Sequence, residues 1–213
     1  MHSEPLILAF DTSAAHCAAA LLCGETLLAE HHEEMARGQG ERLVPMLETL
    51  LQHAGRSWSD LDAIAVGTGP GNFTGIRIAV SMARGLALGL AIPAIGVSIF
   101  DARAEGLPRP LVVAEHAHRG EVYLQSFDPA PCAPQLVALH AVSLPPDCRV
   151  TGSAADALAT GHARAVAARY GIAEAIARVA RTRLGAPQPR PAPLYIRPAD
   201  AAPPSDPPPR ILA

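Results

Sequence analysis

The chain has 213 residues, 49% of them apolar, enough for one large domain or two small ones with a real core. Its net charge of −3 gives no sign of a nucleic-acid-binding protein, and the ten acids against five arginines of residues 1–100 give way only to a mild, dispersed arginine excess beyond them. All 17 basic residues are arginine, which excludes a phosphate-loop lysine, a Schiff base and a lysine general base.

In chain order, the apolar run Leu6 to Phe10, stopped by Asp11-Thr12-Ser13, predicts a buried strand and a turn. Cys17 to Cys23 predicts a second strand, Gly24-Glu25 a hairpin tip, and Thr26 to Glu30 a third strand. Leu43, Met46, Leu47, Leu50 and Leu51 recur at helical spacing, and Ala54-Gly55 ends that helix. Ala63 to Val66 is the fourth strand. It runs into a glycine-rich turn at 67–75, a helix over Gly75 to Leu90, and a fifth strand over Pro93 to Val97. The order βββαβαβ is that of an α/β layer domain.

Beyond residue 100 the pattern is weaker. Leu111 to Ala114 and Glu121 to Phe127 read as a strand pair and Gln135 to Val142 as a third strand. Ser153 to Thr160 and Ala163 to Leu184 read as helices. From Pro187 onward 10 of the 21 prolines fall within 27 residues, and 201–209 is expected to be disordered, with Leu194-Tyr195-Ile196-Arg197 an apolar patch able to dock. Pro108 and Pro110 mark a domain boundary. The expected division is 1–105, 106–186 and a Pro-rich segment 187–213. No sequence repeat is evident.

Four segments could carry function. In the turn, Gly67, Gly69 and Gly71 free the backbone, Pro70 stiffens it, and Asn72 or Thr74 can cap the following helix. Either its N–H groups hold an anion or the turn simply packs. Without lysine it is no Walker loop, and Asn72 stands where a dinucleotide fingerprint needs its third glycine. Along the helix, Gly75, Ala79, Ala83 and Ala87 form one small-residue stripe, and Ser81, Gly85 and Gly89 another. Such stripes admit close helix packing, either on the chain's own sheet or on a second subunit, while Arg77 and Arg84 keep part of the surface polar. Asp11-Thr12-Ser13 could hold a phosphate or metal, or form an Asx-type turn, and the methyl groups of Ala14 and Ala15 narrow the approach. His116 and His118 share one strand face and could form half of a metal site. No H-E-x-x-H, G-x-S-x-G, C-x-x-C or Gly-Gly occurs, so neither a metal nor a cofactor is expected. Met1 to Pro5 lacks a basic region and the uncharged apolar run Gly85 to Phe100 is broken by Pro93. The expected location is therefore the cytoplasm, with reduced cysteines and no membrane contact.

Phe10-Asp11-Thr12-Ser13 and Gly67-Thr68-Gly69-Pro70-Gly71-Asn72-Phe73-Thr74-Gly75-Ile76-Arg77-Ile78 resemble the TsaB (YeaZ) family, whose second motif runs G-x-G-P-G-S-F-T-G-L-R-I-G. Asn72 stands for the usual serine and Ala79 for the last glycine. Glu41 to Leu47 is similar to that family's first-helix start, with Gln39 and Gly40 replacing a His-Ser pair. His116 to Tyr123 is similar to its D-A-R-R-G-E-V-Y stretch, and Tyr195-Ile196-Arg197 to its closing Y-[LV]-R. The match is specific over 6–105 and looser beyond. The resemblance implies an actin-like, sugar-kinase-like fold of two α/β lobes and a non-catalytic subunit. It implies dimerisation with a catalytic TsaD-like paralogue, though a homodimer is possible in isolation. With a TsaE-like ATPase, that complex transfers threonylcarbamoyl to the adenosine 3′ of the anticodon, and tRNA is met only through the complex. It also implies an interface on the two N-terminal-lobe helices, for which Arg42, Leu43, Met46, Leu47, Leu50, Arg77, Val80, Ser81, Ala83, Arg84, Gly85 and Leu88 are the candidates. Asp11, Thr12 and Ser13 become a vestigial phosphate loop, and Gly67, Gly69, Pro70, Gly71, Phe73, Thr74 and Gly75 the signature turn. An active ATP-using enzyme of the same superfamily, a metallopeptidase and a stand-alone homodimeric scaffold are the alternatives.

Overall fold

In the computed structural model, which describes residues 4–128 and 130–196, the first hundred residues build one sheet. Strands β1 (Leu6–Asp11) and β2 (His16–Cys23) are antiparallel, with Leu6 opposite Cys23 and Asp11 opposite Ala18. β3 (Thr26–Glu34) pairs on the outside of β2. β4 (Ala63–Gly67) and β5 (Ala94–Val97) run parallel to β1 on its other side, giving the order β3-β2-β1-β4-β5. β1, β2 and β4 are buried almost throughout, as continuous apolar runs covered on both faces should be. β3 runs four residues further than expected. His31 to Glu34 pair with His16 to Ala19, so backbone bonding along an edge carries a polar stretch that has no apolar pattern to betray it.

Helices α1 (Gln39–His53) and α2 (Phe73–Leu90) cover one face of this sheet. Leu43, Met46, Leu47 and Leu50 of α1 and Ile76, Ala79, Val80 and Ala83 of α2 meet Leu8, Phe10, Leu21, Ile64 and Val66 there. The opposite face is covered by α3 (Ile99–Ala104), which the sequence did not announce, and by α5 (Ile172–Arg183). Ser98 caps α3, its Oγ accepting from the Asp101 N–H at 3.0 Å. Although α5 follows the second sheet in the chain, Ala173, Ile176, Ala177 and Ala180 pack under Ile7, Ala9, Ala18 and Ala20 of the first.

The second sheet consists of β6 (Leu111–His116), β7 (Glu121–Phe127), β8 (Gln135–Ala138), β9 (Arg149–Thr151) and β10 (Arg164–Ala165), in the order β10-β9-β6-β7-β8. Read from its antiparallel end, it repeats the first sheet: an antiparallel meander of three strands, then two parallel ones. The duplication is one of topology and is invisible in the residues. Three expectations are corrected here. β8 stops at Ala138 and continues as a 3-10 turn over Leu139–Ala141. The helix expected over Ser153 to Thr160 is the single turn α4 (Ala155–Leu158). The helix expected from Ala163 begins only at Ile172, because Arg164 and Ala165 pair with β9 and Gly171 separates them from α5. Alanine's helix propensity there is overridden by strand pairing. The patch at 194–196 does dock, with Leu194 and Ile196 against Phe100, Leu111, Val113 and Phe127. Arg197 and the tail expected to be disordered lie outside the described residues.

Candidate functional site

A cleft of about 450 Å³ opens between the sheets. Its first-sheet side is the turn after β1, the start of β2 and the glycine-rich turn; its second-sheet side is the end of β6, Tyr123 of β7 and Ser153 after β9. Arg103 of α3 reaches it from between them.

On the first side, Asp11 is fully buried. Its Oδ2 accepts from the Ser13 N–H at 3.0 Å, from the Ser13 Oγ at 2.7 Å, and meets His16 Nε2 at 2.7 Å. Thr12 turns inward, its Oγ1 donating to the Gly75 carbonyl at 2.7 Å. The glycines of the second motif exist to let two backbones touch. A Cβ on Gly71 would strike the Ser13 carbonyl, one on Gly75 the Thr12 carbonyl, and one on Gly67 the Asp11 Oδ1. The Asn72 N–H donates to the Ser13 carbonyl at 2.6 Å. Asn72 is also the cap of α2, its Oδ1 accepting from Thr74 and Gly75 at 3.0 and 3.1 Å. The turn is thus packed against the β1 turn, and the Asn72, Thr74 and Gly75 N–H groups are engaged within the chain.

The second side repeats this arrangement. Glu115 Oε2 accepts from the Ser153 N–H at 3.1 Å, and its Oε1 takes the Arg103 Nε at 3.0 Å. The Ser153 Oγ in turn accepts from the His116 N–H at 2.8 Å. A Cβ on Gly152 would strike the Ala114 carbonyl, so this turn is pressed on β6 as the first is pressed on α2. Each turn that could offer its N–H groups to a phosphate gives one instead to a carboxylate of the same chain. His116 and His118 line the cleft, but among the described residues no group of three or more His, Cys, Asp or Glu side chains is arranged to hold a metal ion. Glu115, Arg103, Ser153 and His16 were not singled out in the sequence. The one available signal was His16 lying five residues after Asp11, and the others converge only through the fold.

The interface candidates divide by burial. Leu43, Met46, Leu47, Leu50, Val80 and Ala83 belong to this chain's own core, where they seat α1 and α2 on the sheet. The stripe Gly75, Ala79, Ala83 and Ala87 is buried in the same way. The other stripe is open. Ser81, Gly85 and Gly89 are exposed, a Cβ on either glycine would meet nothing within 4 Å, and Leu88 is 76% exposed. Arg77 is exposed and Arg84 half-buried, while Arg42 donates its Nε to Glu33 at 2.7 Å. That bond lowers the Glu33 carboxyl below its ordinary pKa. With a mean hydropathy of 1.3 over 18 residues, α2 is long and apolar enough to cross a membrane, yet its buried stripe is seated on the sheet.

The family model for TsaD, tRNA N6-adenosine threonylcarbamoyltransferase, matches residues 29–130. The tRNA threonylcarbamoyladenosine biosynthesis protein TsaB of Escherichia coli K12 is 42% identical over 126 residues, 57% of this chain and 54% of that protein. Its counterpart in Bacillus subtilis is 37% identical over 123 residues, 55% of this chain and 52% of that protein. The chain thus spans about half the length of the curated relatives it matches. The crystal structure of a Pseudomonas aeruginosa protein described as similar to peptidase YeaZ superposes with a TM-score of 0.77 at 29% identity, covering 91% of this chain and all of that one. From the repeated sheets, the glycine-rich turn locked on the β1 turn, and these likenesses together, the chain has an actin-like α/β fold and is similar to the TsaB (YeaZ) family.

Proposed function

We propose that the chain is a non-catalytic subunit of the cytoplasmic machinery that places threonylcarbamoyl on a tRNA adenosine. It pairs with a TsaD-family catalytic chain, works with a TsaE-like ATPase, and meets tRNA only within that assembly. The observation carrying this reading is the self-occupied cleft. Asp11 takes the Ser13 N–H, and Glu115 takes both the Ser153 N–H and Arg103. A nucleotide's phosphates would have to displace two carboxylates from charge-assisted bonds, and each displaced carboxylate would repel the incoming anion. The chain has no lysine, and among the described residues no metal-holding cluster offsets that cost. The open α2 stripe supports the other half of the reading. Two exposed helical glycines cost about 1 kcal/mol each against alanine and gain nothing inside this chain, whereas a facing helix could lie close against them.

Replacing the chromosomal gene with a depletable copy and measuring threonylcarbamoyladenosine in bulk tRNA tests the reading. The modified nucleoside is expected to fall and to be restored by wild-type chain. Undiminished nucleoside, or turnover of Mg-ATP by the purified chain alone, would remove it.

A further inference from the structure

Among the described residues four large hydrophobic side chains are exposed: Leu28, Phe73, Leu88 and Tyr195. Two of them, Phe73 and Leu88, lie on α2, and Tyr195 is brought to Phe73 by the segment 191–196, which runs back over the molecule. The Leu194 N–H donates to the Thr68 carbonyl at 2.8 Å, and Leu194 and Ile196 sit against the core around Phe100 and Phe127. The Tyr195 and Phe73 rings then lie 5.4 Å apart, tilted by 33°. Arg77, one helical turn beyond Phe73, places its guanidinium 3.6 Å over the Phe73 ring. Its Nε donates to the Tyr195 hydroxyl at 2.8 Å. Phe73 is 53% exposed and Tyr195 48%, so no described residue covers the cluster.

This is a poor surface to leave in water and a good one to bury. Aromatic side chains and arginine dominate the binding energy of protein interfaces, and an arginine already fixed between two rings has little freedom left to lose on association. Its Nε is used, but among the described residues no carboxylate pairs with Arg77 or with Arg84, about 10 Å further along the helix. α2 itself holds no Asp or Glu. The face therefore calls for an acidic occupant. The cluster also continues the open Ser81, Gly85 and Gly89 stripe on the same helix. Because the TsaD family model spans both α1 and α2, a chain of that family carries a matching helix pair to lay against this one.

We propose that Phe73, Arg77 and Tyr195 anchor the subunit interface, that the 191–196 segment is an integral part of it, and that the occupant is a TsaD-family chain presenting a carboxylate to Arg77. This rests on the partner-subunit reading above, and the experiment separates the two. The full-length chain and its Tyr195→Ala, Tyr195→Phe and Gly85→Leu variants are titrated calorimetrically against the TsaD-family chain of the same organism, with melting curves recorded for each. Tyr195→Ala is expected to weaken association by about 10- to 100-fold, as an anchor residue does. Tyr195→Phe, which keeps the ring and the docked segment but loses the bond to Arg77, is expected to weaken it by about 3- to 10-fold. If both Tyr195 variants bind as wild type while Gly85→Leu does not, the anchor is wrong and the helix interface stands. If Gly85→Leu also binds as wild type, the α2 face is not the interface, whereas a wild-type chain that gives no heat with the TsaD-family chain removes the partner-subunit reading. If the TsaD-family chain gives no heat and Tyr195→Ala instead dissociates a dimer of this chain, the named occupant is wrong.

Discussion

Exchanging Gly75 and Gly85 singly for alanine should have unequal effects on stability, a gain at Gly85 and none or a loss at Gly75, although both lie in the same helix. Gly85 is exposed and an added Cβ meets nothing within 4 Å. Removing a mid-helix glycine there gains about 1 kcal/mol, worth roughly 2–4 °C in the melting temperature of a chain this size. At Gly75 the same methyl would strike the Thr12 carbonyl, whose carbon lies 3.0 Å away. That backbone cannot give, because Thr12 Oγ1 is tied to the Gly75 carbonyl and the Ser13 carbonyl to the Asn72 N–H. Overpacking costs about 1–3 kcal/mol, which cancels or exceeds the propensity gain and leaves Gly75→Ala about 1–3 kcal/mol less stable than Gly85→Ala. Urea unfolding of the two variants at one protein concentration, followed by far-UV circular dichroism, reads the difference. Gly85→Leu extends the test, since it should match or exceed wild-type stability in isolation while losing the partner. Equal stabilisation by both alanine variants would refute the backbone contact. A loss of stability in Gly85→Ala would show that this face is already covered in the isolated chain.

Ala83→Leu, by contrast, should lower the stability of the isolated chain by about 1–3 kcal/mol in urea melts, because Ala83 is fully buried against the sheet. Asp11→Ala should cost about 2–4 kcal/mol in the same assay, since it strands the Ser13 N–H, the Ser13 hydroxyl and His16 in a buried turn. Glu115→Ala frees Arg103 and the Ser153 N–H together, so calorimetric titration with Mg-ADP should give measurable heat with the variant and none with wild type. Micromolar binding by wild type would overturn the self-occupied cleft. Cys17 is fully buried, and burial above all, with the Glu33 charge nearby, pushes its thiol up to about 11. At pH 8 only about one thiol in a thousand is ionised there, so disulfide reagents should label exposed Cys132 at once and Cys17 only on unfolding. The Glu33 carboxyl is held low by Arg42, so whatever stability that pair contributes is present above the ordinary carboxylate range and fades as pH falls through Glu33's lowered value. Arg42→Ala should therefore narrow its stability difference from wild type as acid unfolding proceeds.

Much of the first sheet was legible because its strands are buried on both sides. Leu6 to Phe10 and Ala63 to Val66 are unbroken apolar runs, and the α1 leucines recur at 3.6-residue spacing. The glycine-rich motif and the β1 turn were visible as residue types. Their purpose was not: only the fold shows that Gly71 and Gly75 are glycine because the Ser13 and Thr12 carbonyls lie where side chains would be. Likewise the two small-residue stripes of α2 look alike on paper. Facing direction alone separates Ala83, sealed in the core, from Gly85, open to solvent.

Local pattern, then, determined the first lobe's elements, the family signature and the absence of lysine chemistry, since each is written in neighbouring residues. The tertiary structure decided the rest, because it depends on residues far apart in the chain. Glu115 closes on Arg103 and Ser153, α5 crosses back to the first sheet, and Tyr195 is carried to Arg77. A three-residue strand such as β9, or an edge extension such as the end of β3, leaves no periodicity to read, and each exists only because a neighbouring strand supplies its hydrogen bonds.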